Sequence, residues 1–175
     1  RPVGIVEGVD YEHTGLVRKV DAATIRFTLD SGSIALLSNL GFSATGETFN
    51  LTMEEVAMST AVALDADKLI FVTETPGILD AEDRVRGEIS EAEAERLLAE
   101  GSLPADTAHY LRYALRACQG GVARAHLIPF DLDGSLLLEL FQHDGVGTML
   151  VEETLEELRE AGPDDVGGIL ALIRP

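Results

Sequence analysis

The chain has 175 residues, 46% of them hydrophobic and 25% charged, which suits one globular domain with a sizeable core rather than a disordered segment. A formal net charge of −18 argues against nucleic acid and anionic membrane as partners, because like charges repel; it is compatible with a cationic ligand, with simple solubility or with a halophilic host. No apolar run is long enough to span a bilayer, no segment resembles a signal peptide, and a single cysteine, Cys118, rules out an internal disulfide framework and fits a reducing cytoplasm.

Residues 1–20 predict a pair of short strands, carrying Val3, Ile5, Val6 and Val9, then Leu16, Val17 and Val20, with "DYEHTG" between them. The opening at Arg1 reads as the middle of a structure, so truncation at both ends is expected. Asp21 to Asp30 predicts a short helix with Ile25, Phe27 and Leu29 near the core. "SIALLSNLGFS" reads as a buried strand.

Thr52-Met53-Glu54-Glu55 has the pattern of a capping box, in which the Thr hydroxyl takes the N–H of Glu55, and Leu51 and Val56 suit a hydrophobic staple. The helix it opens carries Val56, Ala57, Thr60, Ala61 and Leu64 on one face. "KLIFVT" reads as a central strand, and a helix followed so closely by a strand is half of a parallel α/β unit. "RVRGEIS" predicts an extended piece. Ser90-Glu91-Ala92-Glu93 repeats the capping box and opens a second helix closed by Gly101. Asp106 is placed to cap a third helix over 107–118, ending at Gly120-Gly121. "ARAHLIPF" predicts a strand, Gly134 to Phe141 a short helix, and "GTMLVE" the last strand. The order predicts an α/β layered domain with a largely parallel sheet and right-handed connections.

Three groups of residues could carry chemistry. Asn50 and Glu54 stand at a helix entrance, where unpaired N–H groups favour anions, although Glu54 also simply complements the helix dipole. Thr73, Glu74, Thr75 and Gly77 follow a strand, where ligands of open α/β sheets bind; Pro76-Gly77 also suits an ordinary β-turn. His126 on its strand, Glu139 on the next helix, and Gly145 and Gly147 in "HDGVGT" could together hold a guanidinium and an α-amino group, since a carboxylate offers a planar acceptor. A lone strand histidine can equally be a satisfied structural residue.

"QHDGVG" matches the short glycine pattern of an acetyl-CoA pyrophosphate loop, but it follows a helix and enters a strand, the reverse of what phosphate binding needs. His13, His109 and His143 are scattered. No Ser-His-Asp arrangement or metal-spaced cluster is evident, so no catalytic residue and no metal are expected.

"DYEHTGLVRKVD", "GETFNLTMEEVAMSTAVALDADKLIFVTETPGIL", "GGVARAHLI" and "LLLELFQHDGVGTML" resemble the C-terminal half of an amino-acid kinase domain, and most nearly that of the bacterial N-acetylglutamate synthase family, relatives of N-acetylglutamate kinase. The resemblance covers residues 1–151 and implies an αβα sandwich of the amino-acid kinase, or carbamate kinase-like, type, here partial. Asn50, Glu54, Thr73, Glu74, Thr75, Gly77 and Tyr110 would correspond to the kinase nucleotide and substrate site. Two departures mark that site as vestigial. Glu54 stands where the kinases carry an acidic residue one methylene shorter, and Tyr110 stands where they carry a phosphate-binding lysine. A phenol cannot neutralise phosphate charge during transfer.

In this family the kinase-like domain senses L-arginine, and a following domain acetylates glutamate with acetyl-CoA, the first step of arginine biosynthesis. The resemblance therefore implies arginine binding at His126, Glu139, Gly145 and Gly147, no cofactor within these residues, and a homo-oligomer. Residues 152–175 would be a linker and the truncated start of the acetyltransferase domain, with Asp164 and Asp165 capping a helix whose apolar face holds Ile169, Leu170, Leu172 and Ile173. The alternatives are an ATP-dependent acetylglutamate or other amino-acid kinase, and a purely structural oligomerisation domain.

Overall fold

The structure is a computed structural model that describes residues 1–142 and 145–152. The expected linker and helix over residues 153–175, with Asp164 and Asp165, lie outside the described residues.

The chain opens on a hairpin of β1 (Ile5–Val6) and β2 (Val9–Asp10). Its turn is Glu7-Gly8, where both residues have positive φ (51° and 81°), the mirror-image turn that matches strand twist. The expectation of a second strand after "DYEHTG" is corrected, because the hairpin closes before that segment. Helix α1 (Ala22–Asp30) follows, capped by Asp21, whose carboxylate accepts the Thr24 N–H. None of its residues is buried, and Phe27 is 78% exposed, so the expected core role of Ile25, Phe27 and Leu29 is not met.

The apolar run at residues 33–43 is not a buried strand. Only β3 (Leu40–Phe42) is extended; it pairs antiparallel with β4 (Thr48–Asn50), and Ile34 and Leu36 are 92% and 95% exposed. Helix α2 (Met53–Leu64) buries Glu55, Met58 and Ala61, a face rotated from the one expected. The Glu55 carboxylate turns inward to accept the Val17 N–H at 3.2 Å. That bond displaces the capping box: Thr52 makes no cap bond, and its hydroxyl lies 3.4 Å from Tyr113 Oη.

Four strands form the main sheet: β5 (Lys68–Thr73), β6 (Glu88–Ser90), β7 (Arg124–Pro129) and β8 (Thr148–Val151), in the order β5-β7-β8-β6. The β5/β7 and β6/β8 pairs are parallel and β7/β8 is antiparallel, so the sheet is mixed. "KLIFVT" is an edge strand among the described residues, not a central one. Helix α3 (Glu91–Glu100) is capped by Ser90 Oγ, which accepts the Glu93 N–H, and closed by Gly101 in the left-handed region. Helix α4 (Ala105–Gln119) starts behind Pro104; Asp106 sits in its first turn and is not the cap, a correction explained by Pro, which has no N–H to lose there. Short helix α5 (Ser135–Phe141) follows β7.

Strand alternation divides the sheet into two faces. Leu69, Phe71, Ala125, Leu127, Leu150 and Ile89 face α2, α3 and α4 and form one core with Leu111, Ala114 and Ala117. Ala114 and Ala117 of α4 are fully buried, which lets that helix lie close on the sheet. The opposite face, carrying Lys68, Ile70, His126, Met149 and Glu88, receives α5. The layers are those of an αβα sandwich.

Candidate functional site

Glycine geometry brings the site together. Gly134, at φ 74°, reverses the chain after β7 so that α5 returns across His126. His126 Nδ1–H then donates to Glu139 Oε1 at 2.6 Å, with only 4% of each side chain exposed. Glu139 Oε2 accepts two backbone donors, Val146 N–H at 2.7 Å and Gly147 N–H at 3.2 Å. A Cβ on Gly145 would lie 2.6 Å from Glu139 Oε2, and one on Gly147 would lie 2.1 Å from the Leu127 carbonyl oxygen. Both glycines are therefore demanded by the close approach of backbone to carboxylate and strand.

Burial works to raise the Glu139 carboxyl, but the bonds from Val146, His126 and Gly147 outweigh it and hold the group below its ordinary range. An ionised carboxylate only accepts, so Nδ1 carries the proton of that bond, and in the neutral imidazole Nε2 is an acceptor. Among the described residues that buried Nε2 has no hydrogen-bond partner. A cleft of about 300 Å³ opens beside the pair, lined among others by Lys68, Glu88, Arg124 and Met149. Both signs of charge thus meet in one cavity.

The second predicted group lies on the other side of the sheet. Thr73 is 2% exposed, and its hydroxyl donates to the Thr75 carbonyl at 2.9 Å. Gly77, at φ 124°, passes so near β8 that a Cβ would meet Thr148 Oγ1 at 2.7 Å, and Ile78 N–H donates to that same hydroxyl at 2.8 Å. Tyr110 packs against Phe71, with ring centres 5.9 Å apart and ring planes tilted by 46°. Burial, then the charges of Glu54, Glu74 and Asp106, raise its phenol above the usual range. Glu54 also reaches His109 Nε2 at 3.6 Å. Thr73, Glu74, Glu54 and Tyr110 are thus neighbours, in surroundings hostile to phosphate. Asn50 is the last residue of β4, and its side chain makes no hydrogen bond to this group among the described residues.

The sequence pointed to His126, Glu139, Gly145 and Gly147, and the structure brings all four together. It did not point to Lys68, Arg124, Glu88 or Met149 as neighbours of that cluster. Their only signal is the two-residue alternation of their strands, which places them on a face but does not say which strands adjoin.

The four-stranded αβα architecture and the paired glycine–carboxylate cluster define a class before they define a member. The amino acid kinase family matches residues 2–129, and the chain belongs to it. Over its full length the chain is 62% identical to the amino-acid acetyltransferase of Ralstonia nicotianae, of which it covers 39%. It is also similar to the crystal structure of N-acetylglutamate synthase from Neisseria gonorrhoeae complexed with coenzyme A and L-arginine: 39% identity, TM-score 0.84, covering 100% of this chain and 41% of that one. Carbamate kinase from Giardia lamblia shares the fold, at 15% identity and TM-score 0.62, over 78% of this chain and 46% of that one. The chain therefore spans about two fifths of the length of the acetyltransferases it matches.

Proposed function

We propose that this chain is the kinase-like regulatory part of an N-acetylglutamate synthase, an amino-acid N-acetyltransferase that acetylates glutamate with acetyl-CoA in arginine biosynthesis. L-Arginine is the effector, and the residues it meets are His126, Glu139, Gly145 and Gly147. Residues 1–151 belong to the kinase-like domain; residues 152–175 are the linker and start of the acetyltransferase domain. The whole enzyme works as a cytoplasmic homo-oligomer, and these residues hold no cofactor and no catalytic group.

One observation carries this reading: a buried imidazole acceptor, His126 Nε2, without a partner, beside a cleft lined by both acids and bases. A zwitterion with extra N–H donors meets those demands, because Lys68 and Arg124 suit a carboxylate and the acceptors suit an amine or guanidinium. The similarity to a synthase whose crystal structure holds L-arginine supports the same ligand. The surroundings of Tyr110 count against phosphoryl transfer, since Glu54, Glu74 and Asp106 would repel ATP and no lysine replaces the phenol. Arginine acts allosterically by binding one arrangement of the enzyme better than another.

Calorimetry of the intact protein with L-arginine tests the reading. Heat of binding and a raised melting temperature are expected. Absence of both would leave the structural, oligomer-forming alternative. Glutamate- or acetylglutamate-dependent ADP release would instead restore the kinase.

A further inference from the structure

Positive charge is scarce in this chain, with 13 Lys and Arg against 31 Asp and Glu, yet three of the 13 line one cavity that no acid lines. The cavity holds about 580 Å³, almost twice the cleft beside His126, and opens where residues 16–19 meet the β3–β4 hairpin. Its cations are Arg1, Arg18 and Lys19. Lys19 also feels the charge of Asp21. Among the described residues the guanidinium groups of Arg1 and Arg18 take part in no ion pair.

Hydrogen bonds fix the walls. Leu16 N–H donates to the Arg1 carbonyl at 2.7 Å, and Val17 N–H to the buried Glu55 carboxylate at 3.2 Å, so the backbone that carries Arg18 is tied to α2. Across the cavity Ser43 and Glu47 close a turn: Ser43 N–H donates to the Glu47 carbonyl at 2.8 Å, and Glu47 N–H to Ser43 Oγ at 3.0 Å. The floor is apolar, with Phe49 on β4 and Leu51 just after it. Two glycines let that floor close. A Cβ on Gly15 would lie 2.8 Å from Phe49 Cβ, and one on Gly41 2.9 Å from Leu51 Cδ1.

An apolar floor under a cationic rim, in a cavity of this size, suits a small molecule better than a bare ion. The net charge of −18 opposes an anion at long range, but at physiological salt exposed charges are screened beyond about 8 Å. The groups at the rim therefore decide what enters. We propose that this cavity binds an organic anion, a carboxylate or phosphate monoester joined to an apolar body. The oxyanion meets the Arg18 guanidinium fork to fork, with Lys19 and Arg1 as further cations, and the apolar body lies on Phe49 and Leu51. The cavity shares no lining residue with the cleft beside His126, so the site stands whether or not arginine is the effector.

The test is NMR of the full chain with three probes that share one apolar body: hexanoate, hexyl phosphate and hexylammonium. The anions are expected to move the amide signals of residues 16–19 and 41–44, and hexylammonium to leave them in place. Arg18→Ala is expected to weaken anion binding roughly tenfold, the scale of one charge-assisted hydrogen bond. Arg112→Ala, which removes an exposed cation on α4, is expected to change nothing. Arg18 is exposed, so its loss should leave the melting temperature unchanged; if it does not, Lys19→Ala takes its place. The three probes compared on the wild type need no variant at all.

Binding of one anion and not the other supports the site and assigns its head group. Hexylammonium that binds as well as the anions overturns the proposal and leaves an apolar hollow. Anion affinity unchanged in a folded Arg18→Ala variant overturns it too, as does a wild type whose signals move with neither anion.

Discussion

His126 and Glu139 stand thirteen positions apart on β7 and α5, and their side chains meet at 2.6 Å inside the protein. The same carboxylate holds the backbone of Val146 and Gly147, so one side chain joins a strand, a helix and the entrance to β8. Removing it should be felt at all three. Glu139→Ala is expected to lower the unfolding free energy by roughly 1–3 kcal/mol or more, because buried donors lose their acceptor. Urea denaturation measures the loss, and amide exchange at Val146 and Gly147 should quicken. Unchanged exchange at both amides would refute the anchoring role.

Acid should release the same anchor. The Glu139 carboxyl sits below its ordinary 4.5: burial pushes it up, and the three hydrogen bonds push it further down. A carboxyl with a lowered folded value contributes its full stability above the unfolded value and loses it as pH falls through the folded one. Wild-type stability is therefore expected to fall more steeply below pH 4.5 than that of Glu139→Gln. Parallel pH profiles for the two proteins would show that the carboxyl is not perturbed.

Two glycines give opposite expectations. Gly147→Ala places a methyl 2.1 Å from the Leu127 carbonyl oxygen, whereas at Gly87 a methyl meets nothing within 4 Å. Gly147→Ala should cost about 1–3 kcal/mol through forced backbone shifts. Gly87→Ala should stay within about 0.5 kcal/mol, as open surface positions do. Thermal melts of the pair decide, and a tolerant position 147 would contradict the packing.

Cys118 should be chemically quiet. Burial, then the charge of Glu91, pushes its thiol up to about 11, and it lies in the core. The thiolate is the reactive form, so at pH 8 only about one thiol in a thousand is poised to react. Iodoacetamide is expected to label the native protein very slowly and the urea-unfolded protein at an ordinary rate. Fast native labelling would mean that α4 does not seal this residue.

The two capping patterns, both of the Ser/Thr-x-x-Glu form, should behave differently. Ser90 accepts the Glu93 N–H at 3.2 Å, while Thr52 caps nothing. Ser90→Ala is expected to cost about 1 kcal/mol, the usual value of an N-cap, and Thr52→Ala much less. Equal losses would show that the pattern and not the bond matters.

These two caps also show what a sequence makes legible. Ser90, Gly101 and the strands "KLIFVT" and "ARAHLIPF" follow from local rules, and they form where expected. Thr52 fails because the decisive partner is remote: Glu55 turns toward Val17, a bond between residues 38 positions apart. Ile34 and Leu36 look buried because apolar runs usually are, yet hydrophobicity says nothing about whether a covering surface is there to meet them. The His126–Glu139 cluster was visible through family resemblance. Its neighbours Lys68, Arg124 and Glu88 were not, because only the strand order β5-β7-β8-β6 makes them adjacent.

That strand order carries a consequence for how the chain assembles. β6 and α3 are made early, yet β6 has no partner in the main sheet until β8 arrives, after α4, β7 and α5. Glu88 must wait for Met149. Contacts this distant along the chain are reached late, since loop closure comes before any gain from pairing. Folding should therefore finish at the far edge of the sheet, and the cleft beside His126 should be among the last features to exist. A nascent chain still short of β8 would carry three of the sheet's four strands and helices α1–α5 but no site.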